Sequence, residues 1–317
     1  MKKVFIPQDI TDSGKNFLRE RGYELVIGTG IDMDTMFREG GDADAILART
    51  ESYHNELIGK MPNLKVIGRH GIGLDNIDVA FCTERKIIVT YTPLANANSV
   101  AEHAITMILA CAKNLVIQDK QTRSNNFASR NKLKGQEVTG KTLGIVGCGR
   151  IGMILARIAA LGLNMKVIGF DTFVPSEKFP EYFTKVDSVE AVFKQSDFVS
   201  LNVPATPETR KMVNKSLISI MKPTAYLINC ARGEIMDEAD LYNSLKNSVI
   251  AGAAIDVFDQ EPPKADNPLF GLDNIIVSPH NAALTKEAMD RMGLHAAMGI
   301  DAVLSGNTPE WPANKIS

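Results

Sequence analysis

Short apolar runs alternate with amphipathic stretches along the whole chain, a pattern that fits a parallel sheet covered by helices. Parallel strands buried on both faces read as near-continuous apolar runs, and each needs a crossover, usually a helix, before the next. Residues 3–6, 24–27, 45–48, 65–67 and 87–90 form one series of such runs, with helical patterns at 13–21 and 76–85. A second series follows at 142–146, 166–170, 198–202, 225–229, 250–255 and 275–278. Six strands is the number expected of a doubly wound dinucleotide-binding domain.

Between the two series lies a long helical stretch. Ser99 is a suitable N-cap, with Glu102 three residues on completing a capping box. Val100, Ala104, Met107, Ile108, Cys111 and Leu115 then recur at helical spacing. Residues 118–140 are polar with little periodicity, which suits an arm or partner-contacting excursion. After His280 only a helical pattern at 285–304 and a tail containing Trp311 remain, too little for a third domain. A return of that helix to the first domain makes the first domain discontinuous. The expected division is 1–98 with 285–317, and 99–284 inserted between them.

At 317 residues, 44% hydrophobic and 23% charged, the chain has the balance of a globular protein with two cores. A formal net charge of −2 leaves no basic excess to neutralise phosphates, so neither a nucleic acid nor a membrane surface is the expected partner. The N-terminal apolar stretch is too short for a signal peptide. The helical apolar run at 104–112 is less than half of the roughly 20 residues that cross a bilayer. Cys82, Cys111, Cys148 and Cys230 are scattered without a Cys-x-x-Cys pair, so free thiols in a reducing cytoplasm are expected, and no metal.

Four chemically capable side chains lie just past strand-like runs: Asp171, Arg232, Glu261 and His280. In open α/β sheets the carboxyl edge is where ligands bind. Upstream, Gly147-Cys148-Gly149-Arg150-Ile151-Gly152 joins the run 142–146 to a helical pattern. Gly147 can take the tight turn, Gly149 lets backbone approach a pyrophosphate, and Gly152 permits close packing of helix on strand. The free N–H groups of the helix start, with Ile151 in its first turn and Arg150 adding charge, suit phosphates. Asp171 stands 19 residues beyond Gly152 and can accept from both adenosine ribose hydroxyls while repelling a 2′-phosphate. Thr172 and Phe173 bring no cation, so NAD is favoured over NADP.

The other three suit hydride chemistry on a 2-oxo acid. Arg232 can grip a carboxylate through two parallel hydrogen bonds. His280 is a general acid and base near neutral pH. Glu261 beside it stabilises the protonated imidazole. Singly, each has a plain structural explanation; together, past a phosphate-binding turn, they describe a dehydrogenase.

Asn229-Cys230-Ala231-Arg232-Gly233, the segment 256–262 (Asp-Val-Phe-Asp-Gln-Glu-Pro) and Ser278-Pro279-His280-Asn281-Ala282 resemble the three signatures of the D-isomer-specific 2-hydroxyacid dehydrogenase family. The segment 140–147 resembles the family's cofactor-domain entry, and Gly71-Ile72-Gly73-Leu74-Asp75-Asn76-Ile77-Asp78 its substrate-domain loop. The resemblance implies a Rossmann cofactor domain, a doubly wound parallel sheet, inserted into a flavodoxin-like α/β substrate domain, and a homodimer built around the cofactor domain. It gives Arg232, Glu261 and His280 the roles reached above. It also implies that Cys230 and Asp256 lie near the nicotinamide and Val203 and Pro204 near its ribose, and that the domains close on their ligands. Many relatives carry tryptophan near Phe127, so the arm departs from the pattern there. Longer phosphoglycerate dehydrogenases of the family carry C-terminal regulatory domains, and feedback through one is not expected in this chain.

For the substrate, backbone N–H groups at Ile72 and Gly73 suit a carboxylate, and Arg49 and Arg69 follow strands of the first domain. Two further cations suit a small 2-hydroxy or 2-oxo acid with a second anionic end, and resemblance then points to a 3-phosphoglycerate dehydrogenase-like enzyme; equally open is that Arg69 only assists the carboxylate while Arg49 is solvated. Hydroxypyruvate or glyoxylate reduction is the alternative, with sulfolactate-like acids also open. Formate dehydrogenases of similar architecture have glutamine in place of Glu261. A non-enzymatic NAD-sensing corepressor shares such residues, and a metal site at Glu102 and His103 is remote because helix neighbours diverge.

Overall fold

A computed structural model describes residues 1–316. The chain divides into two compact units, one comprising Met1–Asn96 and the segment from Ala283 onward, the other Ala97–Ala282. In chain order the strands are β1 (Lys3–Ile6), β2 (Glu24–Ile27), β3 (Ala45–Ala48), β4 (Val66–Arg69), β5 (Ile88–Thr90), β6 (Thr142–Val146), β7 (Lys166–Phe170), β8 (Phe183–Lys185), β9 (Phe198–Leu201), β10 (Tyr226–Asn229), β11 (Gly252–Ile255) and β12 (Ile275–Val277). The helices are α1 (Asp12–Glu20), α2 (Met33–Gly40), α3 (Asn55–Ile58), α4 (Val79–Glu84), α5 (Ala97–Ala112), α6 (Leu115–Arg123), α7 (Arg150–Arg157), α8 (Val189–Gln195), α9 (Lys215–Ser219), α10 (Glu238–Lys246) and α11 (Lys286–Leu304).

The first unit holds a parallel sheet of order β2-β1-β3-β4-β5, the flavodoxin-like order. Side chains alternate between its faces, so Phe5, Ile46, Ala48 and Ile67 enter one core while Val4, Ile6, Ala45, Leu47 and Val66 enter another. The second of these cores is completed by Ala296, Ala297, Ile300 and Leu304 of α11. The last helix is therefore not an appendage: without it one face of the first sheet meets water. A Cβ on Gly14 of α1 would lie 2.5 Å from the carbonyl oxygen of Gly293, so the α1–α11 crossing depends on the small residue.

The second unit is a seven-stranded parallel sheet of order β12-β11-β10-β9-β6-β7-β8, a doubly wound arrangement whose order reverses between β6 and β9. Helix α5 covers one face through Ala101, Ala104, Ile108 and Cys111, which join Leu143, Ile145, Phe198 and Ile228 in one core. No single helix among the described residues is long and apolar enough to cross a membrane.

Two local expectations change, and the polar arm gains detail. Helix α5 starts at Ala97, so Ser99 lies buried within its first turn and is not a cap; burial of Ala97 and Val100 carries the helix back beyond the capping-box signal. The polar stretch 118–140 is partly ordered, because α6 runs to Arg123 and a short 3-10 turn follows at Phe127–Asn131. The second sheet gains β8, a three-residue edge strand anchored by the buried Phe183.

Candidate active site

The reversal point of the second sheet carries the glycine-rich turn. Strand β6 ends at Val146, and Gly147 takes φ +91, a conformation open to glycine at little cost. A Cβ there would lie 2.7 Å from the backbone of Asn202 and 2.8 Å from Val203, so the turns after β6 and β9 abut at this point. A Cβ on Gly152 would strike the Gly147 carbonyl oxygen at 2.3 Å, which is why α7 can leave the turn so tightly. Gly149, the N-cap of α7, has open space where a side chain would stand, and Arg150 beside it is exposed. Ile151 follows in the same first turn. An open cradle at the start of an eight-residue helix fits a pyrophosphate.

Asp171 directly follows β7 and organises this turn. Its Oδ2 accepts from the Cys148 N–H at 2.8 Å, and its Oδ1 accepts from the N–H groups of Phe173 and Val174 at 2.7 and 2.9 Å. Each carboxylate oxygen can accept more than one hydrogen bond, so capacity remains for ribose hydroxyls. Burial pushes the Cys148 thiol up to about 12, so this cysteine in the turn is a protonated filler.

Arg232, Glu261 and His280 lie after β10, β11 and β12 at the carboxyl edge. The Asn229 side chain is fully buried and shapes the turn after β10: its Oδ1 accepts from Ala231 N–H and its Nδ2 donates to the Arg232 carbonyl. Gly233 then presses on the next loop, since a Cβ there would lie 1.9 Å from the Phe258 carbonyl carbon. That contact sets the Arg232 turn against the loop carrying Glu261. Glu261 Oε1 accepts from the Phe258 N–H at 3.0 Å, and Oε2 stands 2.6 Å from His280 Nδ1. Burial pushes the Glu261 carboxyl up, but the hydrogen bonds from His280 and Phe258 and the charges of His280 and Arg232 prevail and hold it below the usual range.

His280 itself has a left-handed backbone, φ 50, unusual for a residue with a side chain. Such conformations cost of order 1–3 kcal/mol and persist where surroundings impose them. Here its N–H donates to the Asp256 carbonyl at 2.7 Å. The Asp256 carboxylate, fully buried, accepts from the Asn281 and Ala282 N–H groups and from Ser278 Oγ, so it stitches the histidine loop to the end of β11.

Sequence reasoning named His103 only beside Glu102, as a remote metal pair, and did not place it in this cluster. His103, on α5, places Nε2 3.1 Å from Ser278 Oγ and 3.7 Å from Asp256 Oδ1. Nothing in local spacing signals a partner 175 positions away. Cys230 lies against Met107, and burial raises its thiol pKa. Pro204 follows Val203 beyond β9, and its carbonyl accepts from Thr209 Oγ1 at 2.6 Å. Among the described residues no group of three or more His, Cys, Asp or Glu side chains is placed to hold a metal. A cavity of about 340 Å³ lies instead at the amino ends of β10, β11 and β12, lined by Cys111, Ile117, Tyr226 and Ile276, and includes none of the three candidate catalytic side chains.

In the first unit, Arg49, Arg69, Ile72 and Gly73 lie at the carboxyl edge of their own sheet. Arg49 follows β3 and donates to the Asp9 carbonyl at 2.9 Å. Arg69 turns back on its own loop, donating from Nε to the Gly73 carbonyl at 2.8 Å and from Nη1 to that of His70 at 2.5 Å. The His70 imidazole is buried; burial and the charges of Arg49 and Arg69 push its pKa down to about 4, so it is neutral near pH 7.

Comparison with known proteins bears on the family and the fold. Residues 105–282 match the family described as D-isomer specific 2-hydroxyacid dehydrogenase, NAD binding domain. A D-3-phosphoglycerate dehydrogenase of Methanocaldococcus jannaschii is 39% identical over the whole chain, which spans 61% of that relative's length. A glyoxylate reductase of Pyrococcus furiosus is 37% identical over 99% of the chain and 95% of its own. Among solved structures, a D-lactate dehydrogenase from Aquifex aeolicus complexed with NAD and lactic acid superposes with a TM-score of 0.86 at 29% identity, covering both chains fully. With its glycine turn and an arginine, a glutamate and a histidine past three adjacent strands, the chain belongs to the D-isomer-specific 2-hydroxyacid dehydrogenase family.

Proposed function

We propose that the protein is an NAD-dependent oxidoreductase that interconverts a small D-2-hydroxy acid and its 2-oxo acid, with 3-phosphoglycerate-type acids as the leading substrate class. The observation that carries this reading is the 2.6 Å pairing of His280 Nδ1 with Glu261 Oε2 beside the charge of Arg232.

The pyrophosphate would be held by the N–H groups around Gly147, Gly149, Arg150, Ile151 and Gly152, the adenosine ribose by Asp171, and the nicotinamide end by Val203, Pro204, Cys230 and Asp256. When bound, NAD accepts or supplies the hydride exchanged with the substrate carbon. Arg232 grips the substrate carboxylate and fixes which carbon is presented. Glu261 occupies His280 Nδ1 and leaves Nε2 to face the substrate oxygen. During reduction Nε2–H gives its proton to that oxygen; during oxidation the neutral nitrogen takes it back. Glu261 keeps the ring oriented in both directions. Arg49, Arg69, Ile72 and Gly73 are the first unit's candidates for the substrate's anionic groups.

Reduction of hydroxypyruvate or glyoxylate is the second reading, supported by the 37% identical glyoxylate reductase whose length the chain nearly spans. A homodimer is also proposed, from the exposed Leu115, Val116 and Phe127 along α6 and the turn beyond it. Four free cysteines fit a cytoplasmic setting. The test is NADH oxidation with phosphohydroxypyruvate, hydroxypyruvate and glyoxylate at fixed pH. Oxidation with none of them would remove this reading, and the order of catalytic efficiencies chooses between the two substrate classes.

A further inference from the structure

Two histidines approach the loop that follows β12, and they do different jobs. We infer that His103 is a positioning residue: from α5 it donates through Ser278 to Asp256, and that relay holds the loop 278–282 so that His280 meets Glu261 in one fixed orientation. The inference rests on the acid–base reading of His280 given above and adds to it the group that anchors the loop.

The relay follows from strand register. Ile255 of β11 stands opposite Val277 of β12, so the next residues, Asp256 and Ser278, come side by side at the carboxyl edge. The Ser278 N–H donates to the Ile255 carbonyl at 3.0 Å and the Asp256 N–H to that of Asn229 at 2.9 Å, so both residues remain tied to the sheet. Helix α5 is fixed on the same unit by the buried Ala101, Ala104 and Ile108. From it, His103 Nε2 reaches Ser278 Oγ at 3.1 Å.

The direction of each bond can be assigned. An ionised carboxylate only accepts, so the single Ser278 hydroxyl proton goes to Asp256 Oδ1. Ser278 Oγ therefore meets His103 as an acceptor, and His103 Nε2 must carry a proton. That nitrogen is protonated in the charged ring and in one of the two neutral tautomers, so the bond selects that tautomer. His103 is thus held by Nε2, whereas His280 is held by Nδ1. Opposite nitrogens divide the labour of the two rings.

Asp256 is the hub. Its Oδ1 also accepts from the Asn281 N–H at 3.0 Å, its Oδ2 from the Ala282 N–H at 2.8 Å, and its backbone carbonyl from the His280 N–H at 2.7 Å. One buried residue therefore gathers residues 278, 280, 281 and 282, and His103 closes the cluster on the helix side. His280 needs such restraint, because a slack loop would not keep its φ of 50. Removing the His103 donor leaves the Ser278 hydroxyl free to turn from Asp256, and the loop loosens at its entry.

The test uses the full chain carrying His103→Leu, His103→Gln or Ser278→Ala, at saturating NADH. The substrate is whichever of phosphohydroxypyruvate, hydroxypyruvate and glyoxylate the parent reduces best. Glutamine offers an amide N–H at similar reach, and leucine offers none. His103→Leu is expected to lower kcat roughly tenfold, the worth of one hydrogen bond, and to leave KM within about twofold because Arg232 is untouched. His103→Gln is expected to recover most of that loss. His103→Leu and Ser278→Ala break one relay, so the double variant should be no slower than Ser278→Ala alone. Amide hydrogen exchange at Asn281 and Ala282 reads the loop without activity, and it should quicken about tenfold in His103→Leu but not in His103→Gln. If His103→Leu does not fold, Ser278→Ala cuts the relay at its middle and carries the same comparison. A glutamine variant as slow as the leucine variant, additive losses in the double variant, or a loss confined to KM overturns the assignment. Parent-like exchange in both His103→Leu and Ser278→Ala does so as well. Should the parent reduce none of the acids, the acid–base reading falls, while the exchange experiment still decides whether His103 holds the loop.

Discussion

His280 Nδ1 and Glu261 Oε2 stand 2.6 Å apart, and that pairing leaves Nε2 as the ring nitrogen that the proposed reaction uses. The His280 and Glu261 side chains retain 46% and 35% of their exposure, so the pair is reachable by a small acid. His280→Ala is expected to lower kcat by roughly 10²–10⁴ through lost acid–base help. Glu261→Gln should lower kcat by less, since it keeps a hydrogen-bonding partner but removes the charge. Turnover measured for both at saturating substrate checks the order; a glutamine variant worse than the alanine variant would contradict the orienting role.

Arg232 offers a second test through geometry instead of charge. Lysine preserves the positive charge but cannot make two parallel bonds to a carboxylate. Arg232→Lys should therefore leave catalytic efficiency well below that of the parent, by roughly tenfold or more for a lost charge-assisted hydrogen bond. Equal efficiency on the same acid would show that a point charge suffices.

Much of this architecture is legible in the chain because parallel strands buried on both faces are near-continuously apolar, as β3 and β11 are. Strand β8 was hidden because it pairs on one side only and buries Phe183 alone fully. Helix α6 buries no residue, so no apolar stripe marks it within its polar surroundings. The signatures around Arg232, Glu261 and His280 are local and could be read directly. The approach of His103 to Ser278 and Asp256 could not, because it arises from the packing of α5 on the sheet. Nor does residue type reveal that the Arg69 guanidinium is turned into its own loop.

In the proposed cofactor site Asp171 ties cofactor choice to loop order. Its carboxylate would repel a 2′-phosphate, and it accepts from three backbone N–H groups, including that of Cys148 in the glycine turn. Asp171→Ala should relax discrimination against NADP while also weakening NAD, because the turn loses an anchor. Dissociation constants for the two cofactors, with thermal melting alongside, separate these effects. An unchanged ratio of the two constants would mean that the carboxylate does not discriminate.

His70 makes the first unit sensitive to acid in a way that can be signed. In the unfolded chain an imidazole titrates near 6.5, whereas burial and the charges of Arg49 and Arg69 bring the folded value down to about 4. Between those values the unfolded state binds a proton that the folded state refuses. Stability therefore falls as pH drops from 6.5 towards 4 and this contribution levels off below it, for a total on the order of 3 kcal/mol. Other groups also titrate over that range, so the difference between parent and variant isolates the histidine. Denaturant unfolding at pH 7 and at pH 4.5 should show a smaller acid loss for His70→Asn than for the parent. The same loss in both proteins would show that His70 takes up its proton in the folded state as readily as in the unfolded one.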